Sequence, residues 1–180
     1  MTEPAGLGRF DGKVHILPIR IYYEDTDLSG IVYHANYLRY MERGRSEFFR
    51  SAGIARLAML EQPEATAWSL RRVSLEYIRP ARLDDLIEVH TRAISLTGAR
   101  MGAEQRIYCR ETLLTDGVVE ACIITLDGKP RRIPGEIRAK LQPFVTSDVI
   151  LAKAGTQHLQ GSGSSQNIKG RRPGSTLSRG

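Results

Sequence analysis

One stretch of helical periodicity, set in a chain otherwise patterned in twos, constrains the fold more than any other feature. Between Tyr37 and Ala52 the residues Tyr37, Met41, Gly44, Phe48 and Ala52 recur every three or four positions, while Arg39, Glu42, Arg43, Arg45, Glu47 and Arg50 cover the opposite side. This spacing predicts a single amphipathic helix, with Gly53 as its terminator. Gly44 lies inside the apolar row, where it costs about 1 kcal/mol of helix propensity relative to Ala. The compensation expected is close contact with a sheet.

The strands are read from alternation. Leu17, Ile19, Ile21 and Tyr23 alternate with Pro18, Arg20 and Tyr22, a half-buried strand with Tyr23 on its inward face and Pro18 confining its start to an edge. Everything after residue 68 reads as strand. Val73, Leu75 and Tyr77 form one; Ile87, Val89, Thr91 and Ala93 the next; Met101, Ala103, Ile107 and Cys109 a third. Thr115-Asp116-Gly117 is a hairpin signal joining the third to a last strand over Val118–Leu126, which Asp127-Gly128 ends. The expected architecture is α+β, an antiparallel sheet of about five strands wrapped round one long helix. A sheet with one helix keeps uncovered edges, so assembly with further copies is expected.

Of the 180 residues, 1–13 and 151–180 hold too little apolar material to offset the entropy of ordering. They read as a flexible extension and a basic disordered tail around a domain at 14–150. The net charge of +6 does not point to nucleic acid, because residues 152–180 hold five Lys and Arg and no acid, leaving +1 for the rest. No apolar run approaches the ~20 residues of a spanning helix. No secretory signal pattern opens the chain, and Cys109 and Cys122 read as free packing thiols, so the cytoplasm is the expected compartment.

The unusual chemistry is concentrated between Tyr22 and Tyr37. Glu24-Asp25-Thr26-Asp27-Leu28-Ser29-Gly30 is rich in turn formers and leads into the helix start at His34. First-turn amides lack intrahelical acceptors and sit at the positive end of the dipole, so they favour an oxyanion. Asp27 lies on a loop that Gly30 lets fold back, where its carboxylate can reach the same carbonyl carbon or an adjacent water. His34 offers a backbone amide to the oxyanion, and its imidazole and the Tyr23 hydroxyl are candidates for orienting substrate or Asp27. Gly30, Val32, Tyr33 and Tyr37 complete the substrate-binding candidates. Asp25-x-Asp27-x-Ser29-Gly30 imitates a calcium loop. Calcium is rejected because Asn36 stands where a bidentate Glu is required, and a strand precedes the loop where a helix is required.

Tyr22-Tyr23-Glu24-Asp25-Thr26-Asp27-x-x-Gly30-x-Val32-Tyr33-His34-x-x-Tyr37, followed by Glu42-Arg43-Gly44-Arg45-Ser46-Glu47-Phe48, resembles the 4-hydroxybenzoyl-CoA thioesterase family of hotdog proteins. The branch it is most similar to is the Tol-Pal system-associated acyl-CoA thioesterases, on Tyr77-Ile78-Arg79-Pro80-Ala81-Arg82-Leu83-Asp84-Asp85 and Leu96-Thr97-Gly98-Ala99 as well; the likeness spans roughly residues 17 to 142. It implies a hotdog dimer or tetramer with acyl-CoA bound between protomers, Asp27 as catalytic carboxylate, the His34 amide at the oxyanion, and no metal or redox cofactor. Arg100 is the candidate for the coenzyme A phosphates. An interaction module docking acyl carrier protein or Tol-Pal components, peripheral to the inner membrane, is the alternative the family association suggests. A hotdog hydratase is disfavoured by the spacing of Asp27 and His34.

Overall fold

The helix forms where the periodicity puts it, and its apolar row organises the rest. In the computed structural model, which describes residues 7–54 and 59–146, α1 runs from His34 to Ser51 and buries Tyr37, Tyr40, Met41, Gly44, Phe48 and Phe49. Gly53 follows it at φ +73°, the left-handed terminator expected. The strands are β1 (Arg9–Asp11), β2 (Val14–Arg20), β3 (Thr66–Tyr77), β4 (Leu86–Leu96), β5 (Arg100–Cys109), β6 (Thr112–Thr125) and β7 (Pro130–Arg131), with a short helix α2 at Gly135–Leu141. They form one sheet in the order β1-β2-β4-β5-β6-β3, with β7 beside β6. Every pairing is antiparallel. Five of these strands are long, and the sheet wraps α1 in the hotdog manner.

Gly44 explains how closely helix and sheet approach. A Cβ there would stand 2.7 Å from Val89 Cγ1 and 3.1 Å from Thr91 Oγ1. Close packing thus replaces the lost propensity. Beside it, the buried Gln105 donates through Nε2 to the Met41 carbonyl at 2.8 Å and to Thr91 Oγ1 at 2.9 Å, while its Oε1 accepts from Arg45 at 2.6 Å. A polar side chain is tolerated in this core because its groups are paired. Phe48, fully buried, gains about 2–3 kcal/mol relative to exposure.

On β3 a bulge between Leu70 and Arg72 shifts the phase by one residue. Trp68 and Leu70 before it, and Val73, Leu75 and Tyr77 after it, consequently pair with the β6 residues Ile123, Ala121, Val119, Gly117 and Thr115 on one face. Pro18 sits where the edge argument allows it: β1 covers β2 only from Val14 to Ile16, leaving Pro18 beyond its end.

Four expectations are corrected. The first long strand ends at Arg20, and Tyr23 falls in a 3₁₀ turn with 84% exposure where the alternation would have turned it inward. Thr115-Asp116-Gly117 makes no hairpin; it lies inside β6, paired on both sides by β5 and β3, and the chain turns at Arg110, φ +55°. Two ladders and the packing of Gly117 under Met41 outweigh the local turn propensity. The expected flexible extension over residues 1–13 does not hold for Arg9–Asp11, which pair as β1 while Phe10 stacks on Phe144 at 4.4 Å and meets Phe48. Residues 135–141 are helical although everything past 68 reads as strand. Residues 1–6 and the tail from 151 lie outside the described residues.

Candidate functional site

The loop between β2 and α1 is built from backbone bonds that the turn formers make possible. Ile21, fully buried, exchanges hydrogen bonds with Asp84 and Asp85: its amide donates to the Asp85 carbonyl at 2.9 Å and its carbonyl accepts from Asp84 at 3.1 Å. The chain then turns through Tyr23–Asp25, where the Tyr22 amide donates to Asp25 Oδ2 at 2.9 Å. A miniature hairpin follows. Thr26 bridges Val32, the Asp27 amide donates to the Ile31 carbonyl at 3.0 Å, and the Gly30 amide donates to the Asp27 carbonyl at 3.0 Å. Gly30 has φ +72°, so the fold-back expected of it is made in the conformation glycine permits.

The hairpin is pinned to a second loop. Ile31 bridges Arg82, and the Val32 amide donates to the Ala81 carbonyl at 2.9 Å. The Ala81 amide in turn donates to the Tyr37 hydroxyl at 2.8 Å. Tyr37, almost completely buried, has its phenol pushed above the usual range by that burial. It acts as a structural acceptor holding residues 78–85 against the site. Val32 is buried beside it, whereas Tyr33 remains about half exposed with its ring 4.4 Å from that of His34.

α1 opens on this platform. No side chain caps it; Tyr33 occupies the cap position, its own amide donating to the Asp25 carbonyl at 2.9 Å. The first-turn amides of His34 and Ala35 have no acceptor within the helix. The Tyr77 hydroxyl donates to the His34 carbonyl at 3.0 Å, tying the end of β3 to this turn.

Asp27 stands a few residues away on the hairpin. Its carboxylate accepts from the Ser29 hydroxyl and, at 2.8 Å, from the Ser29 amide. The hydroxyl and then the amide hold it below the ordinary carboxylate range, with a smaller electrostatic contribution from His34. Within one chain this carboxylate is fully open to solvent, and Leu28 beside it projects outward at 109% exposure. Asp27, Gly30, Val32, Tyr33, His34 and Tyr37 are therefore gathered in one neighbourhood.

Tyr23 and Arg100 are not gathered with them in the same way. The Tyr23 side chain is exposed, although its carbonyl accepts from Thr26 within the loop. Arg100 begins β5 and faces Glu120 at 3.7 Å, an acid that also pairs with Arg71 at 2.6 Å. The site borders the other end of that strand, where Ile107 pairs with Thr115 beside Tyr77, on the order of 20 Å away at ~3.3 Å per residue. Three residues that the sequence did not offer as site candidates help build the loop: Ser29, Asn36 and Arg82. A Ser two places after an Asp in a turn is a signal for the first. An inward-facing Asn in a first helical turn is a signal for the second.

Comparison with known proteins supplies the family. The Thioesterase superfamily model matches residues 29–115, beginning two positions past Asp27. The chain is 40% identical over 127 residues to the acyl-CoA thioester hydrolase YbgC of Escherichia coli, covering 69% of this chain and 93% of that protein. It is 37% identical over 123 residues to the acyl-CoA thioesterase YbgC of Haemophilus influenzae, covering 68% and 90%. The crystal structure of a probable thioesterase from Bartonella henselae superposes with a TM-score of 0.65 at 41% identity, covering 67% of this chain and 99% of that one. With this sheet around this helix, and relatives matched over nearly their whole lengths, the chain belongs to the thioesterase superfamily of hotdog-fold enzymes.

Proposed function

We propose that this enzyme hydrolyses acyl-coenzyme A thioesters to the free acid and coenzyme A, with Asp27 as the attacking or proton-accepting carboxylate. The observation that supports the reading is the hairpin from Thr26 to Val32, which folds the segment bearing Asp27, a carboxylate that Ser29 holds below the ordinary range, back onto the residues that lead into the uncapped start of α1. A thioester carbonyl oxygen directed at the His34 amide gains stabilisation as negative charge develops on it. As nucleophile, Asp27 forms a bond to the carbonyl carbon, the C–S bond breaks, the thiolate leaves, and water hydrolyses the resulting anhydride. As general base, it takes a proton from the water that attacks instead. Both routes need the carboxylate ionised, as the Ser29 contacts favour.

Exposure of Asp27 in the single chain supports completion of the site by a second copy, as a homodimer or homotetramer. The long strand β3 ends the sheet with an open edge, and Tyr77, Leu38 and Tyr33 around the site are each about half exposed. The finer reading is the 4-hydroxybenzoyl-CoA-like, Tol-Pal-associated branch, in the cytoplasm or peripheral to the inner membrane. It rests on the motif likeness and on relatives that carry the YbgC name. Among the described residues no helix is long and apolar enough to cross a membrane. Docking of acyl carrier protein or Tol-Pal components by the same scaffold is the alternative, motivated by the five cations of residues 152–180.

The test is thiol release from short, long and aromatic acyl-CoA thioesters by purified protein. Asp27→Asn keeps shape and removes charge, and turnover is expected to fall at least ~100-fold, the range of a positioned base. Wild-type turnover in that variant would refute the role of Asp27.

A further inference from the structure

α1 buries an amide in its first turn. Asn36 is 7% exposed, in a position where an apolar residue would satisfy the helix row. Asn is a weak helix former because its side chain competes for nearby backbone groups, and here it does so. Its Nδ2 donates to the Asp25 carbonyl at 2.9 Å, while its backbone amide donates to the Tyr33 carbonyl at 2.9 Å. The same Asp25 carbonyl accepts the Tyr33 amide at 2.9 Å. One oxygen therefore collects two donors from the helix entry. Asp25 precedes Asp27 by two residues, and its carboxylate is occupied with the Tyr22 amide. The Asn36 side chain thereby ties the loop ahead of Asp27 to the first turn of α1.

We infer that Asn36 is a positioning residue for hydrolysis, setting the distance between the Asp27 carboxylate and the amides at the start of α1; the inference rests on the role proposed above for Asp27. The physical reason is the steep dependence of rate on geometry: carboxylate and oxyanion donors sit on different segments, and a reacting group displaced by an ångström loses a large part of its effect. The Tyr33 amide reaches the Asp25 carbonyl from the residue that precedes the helix, whereas the Asn36 side chain reaches it from within the first turn of α1, so the loop that other bonds shape is referred directly to the helix. Substrate contacts are left to other residues, so the effect belongs in turnover and not in substrate affinity.

The test uses the full chain. Asn36→Ala and the nearly isosteric Asn36→Asp, which replaces the donor by an oxygen facing the Asp25 carbonyl, are compared in wild-type and Asp27→Asn backgrounds. Thiol release is measured below the melting temperature of each variant. Both single variants are expected to lose ~10- to 100-fold in kcat with KM within about threefold of wild type. A residue acting through Asp27 is non-additive with it, so Asp27→Asn/Asn36→Ala should be at most about threefold slower than Asp27→Asn. Wild-type kcat in a folded Asn36→Ala or Asn36→Asp protein overturns the inference, and so does the full loss repeated in the Asp27→Asn background. If Asp27→Asn itself turns over normally, the Asp27 reading has failed; if Asp27→Asn is inactive and the Asn36 variants are normal, only the present inference has.

Discussion

At Asp27 the ionisation state is set by a residue two positions away. Ser29 donates both its hydroxyl and its amide to the carboxylate and lowers its pKa, so the ionised form persists to lower pH than an isolated Asp would allow. Ser29→Ala deletes the larger contribution and raises that pKa. Activity that requires the ionised group falls as pH drops through the pKa, so the acid limb of kcat/KM in the variant should begin at higher pH than in wild type. Overlapping pH profiles for the two proteins would show that Ser29 does not tune the reacting carboxylate. The cluster itself was legible in the sequence, since Asp27, Gly30, Val32, Tyr33, His34 and Tyr37 are near neighbours along the chain. The exposure of Tyr23 was not, because the strand alternation ends at Arg20 and the 3₁₀ turn after it resets the side-chain direction.

At the scale of elements, a strong local signal yields to packing. Asp-Gly favours a hairpin through the φ freedom of glycine, yet Gly117 serves β6 by having no side chain. A Cβ there would meet Met41 Cε at 2.9 Å, Leu75 Cδ1 at 3.0 Å and the Ser74 carbonyl at 3.2 Å. The carbonyl belongs to the neighbouring strand and shifts only with the β3–β6 ladder. Gly117→Ala is therefore expected to destabilise by about 1–3 kcal/mol, the range for an overpacked core, as measured by urea unfolding. An unchanged midpoint would show that the helix rides more loosely on β6 than these distances imply. Gly44 presents the same relation seen from α1. There sequence and structure agree, because a glycine in an apolar helical row gives up propensity that close packing against a sheet restores.

For the molecule as a whole, the open edge of β3 and the exposed Asp27 lead to one expectation: in dilute solution the protein should have at least twice the mass of a single chain by light scattering. A purely monomeric species with full turnover would remove the need for a shared site. The tail makes an independent prediction. Deleting residues 152–180 removes five cations and no acids, so turnover should persist while binding to anionic vesicles or acidic partners weakens, most visibly at low salt. Loss of turnover on deletion would give the tail a catalytic part. The helix, the five long strands and the grouping of residues 27 to 37 on one loop and helix start were readable from the sequence, because side-chain periodicity and a contiguous motif are properties of neighbours along the chain. Only the folded chain shows the turn at Arg110, the packing of β1 through Phe10 on Phe144 and Phe48, the distance along β5 between Arg100 and the candidate site, and the bond from Asn36 to Asp25. Each of these depends on which segments meet in the folded chain, and contacts between segments leave little trace in local pattern.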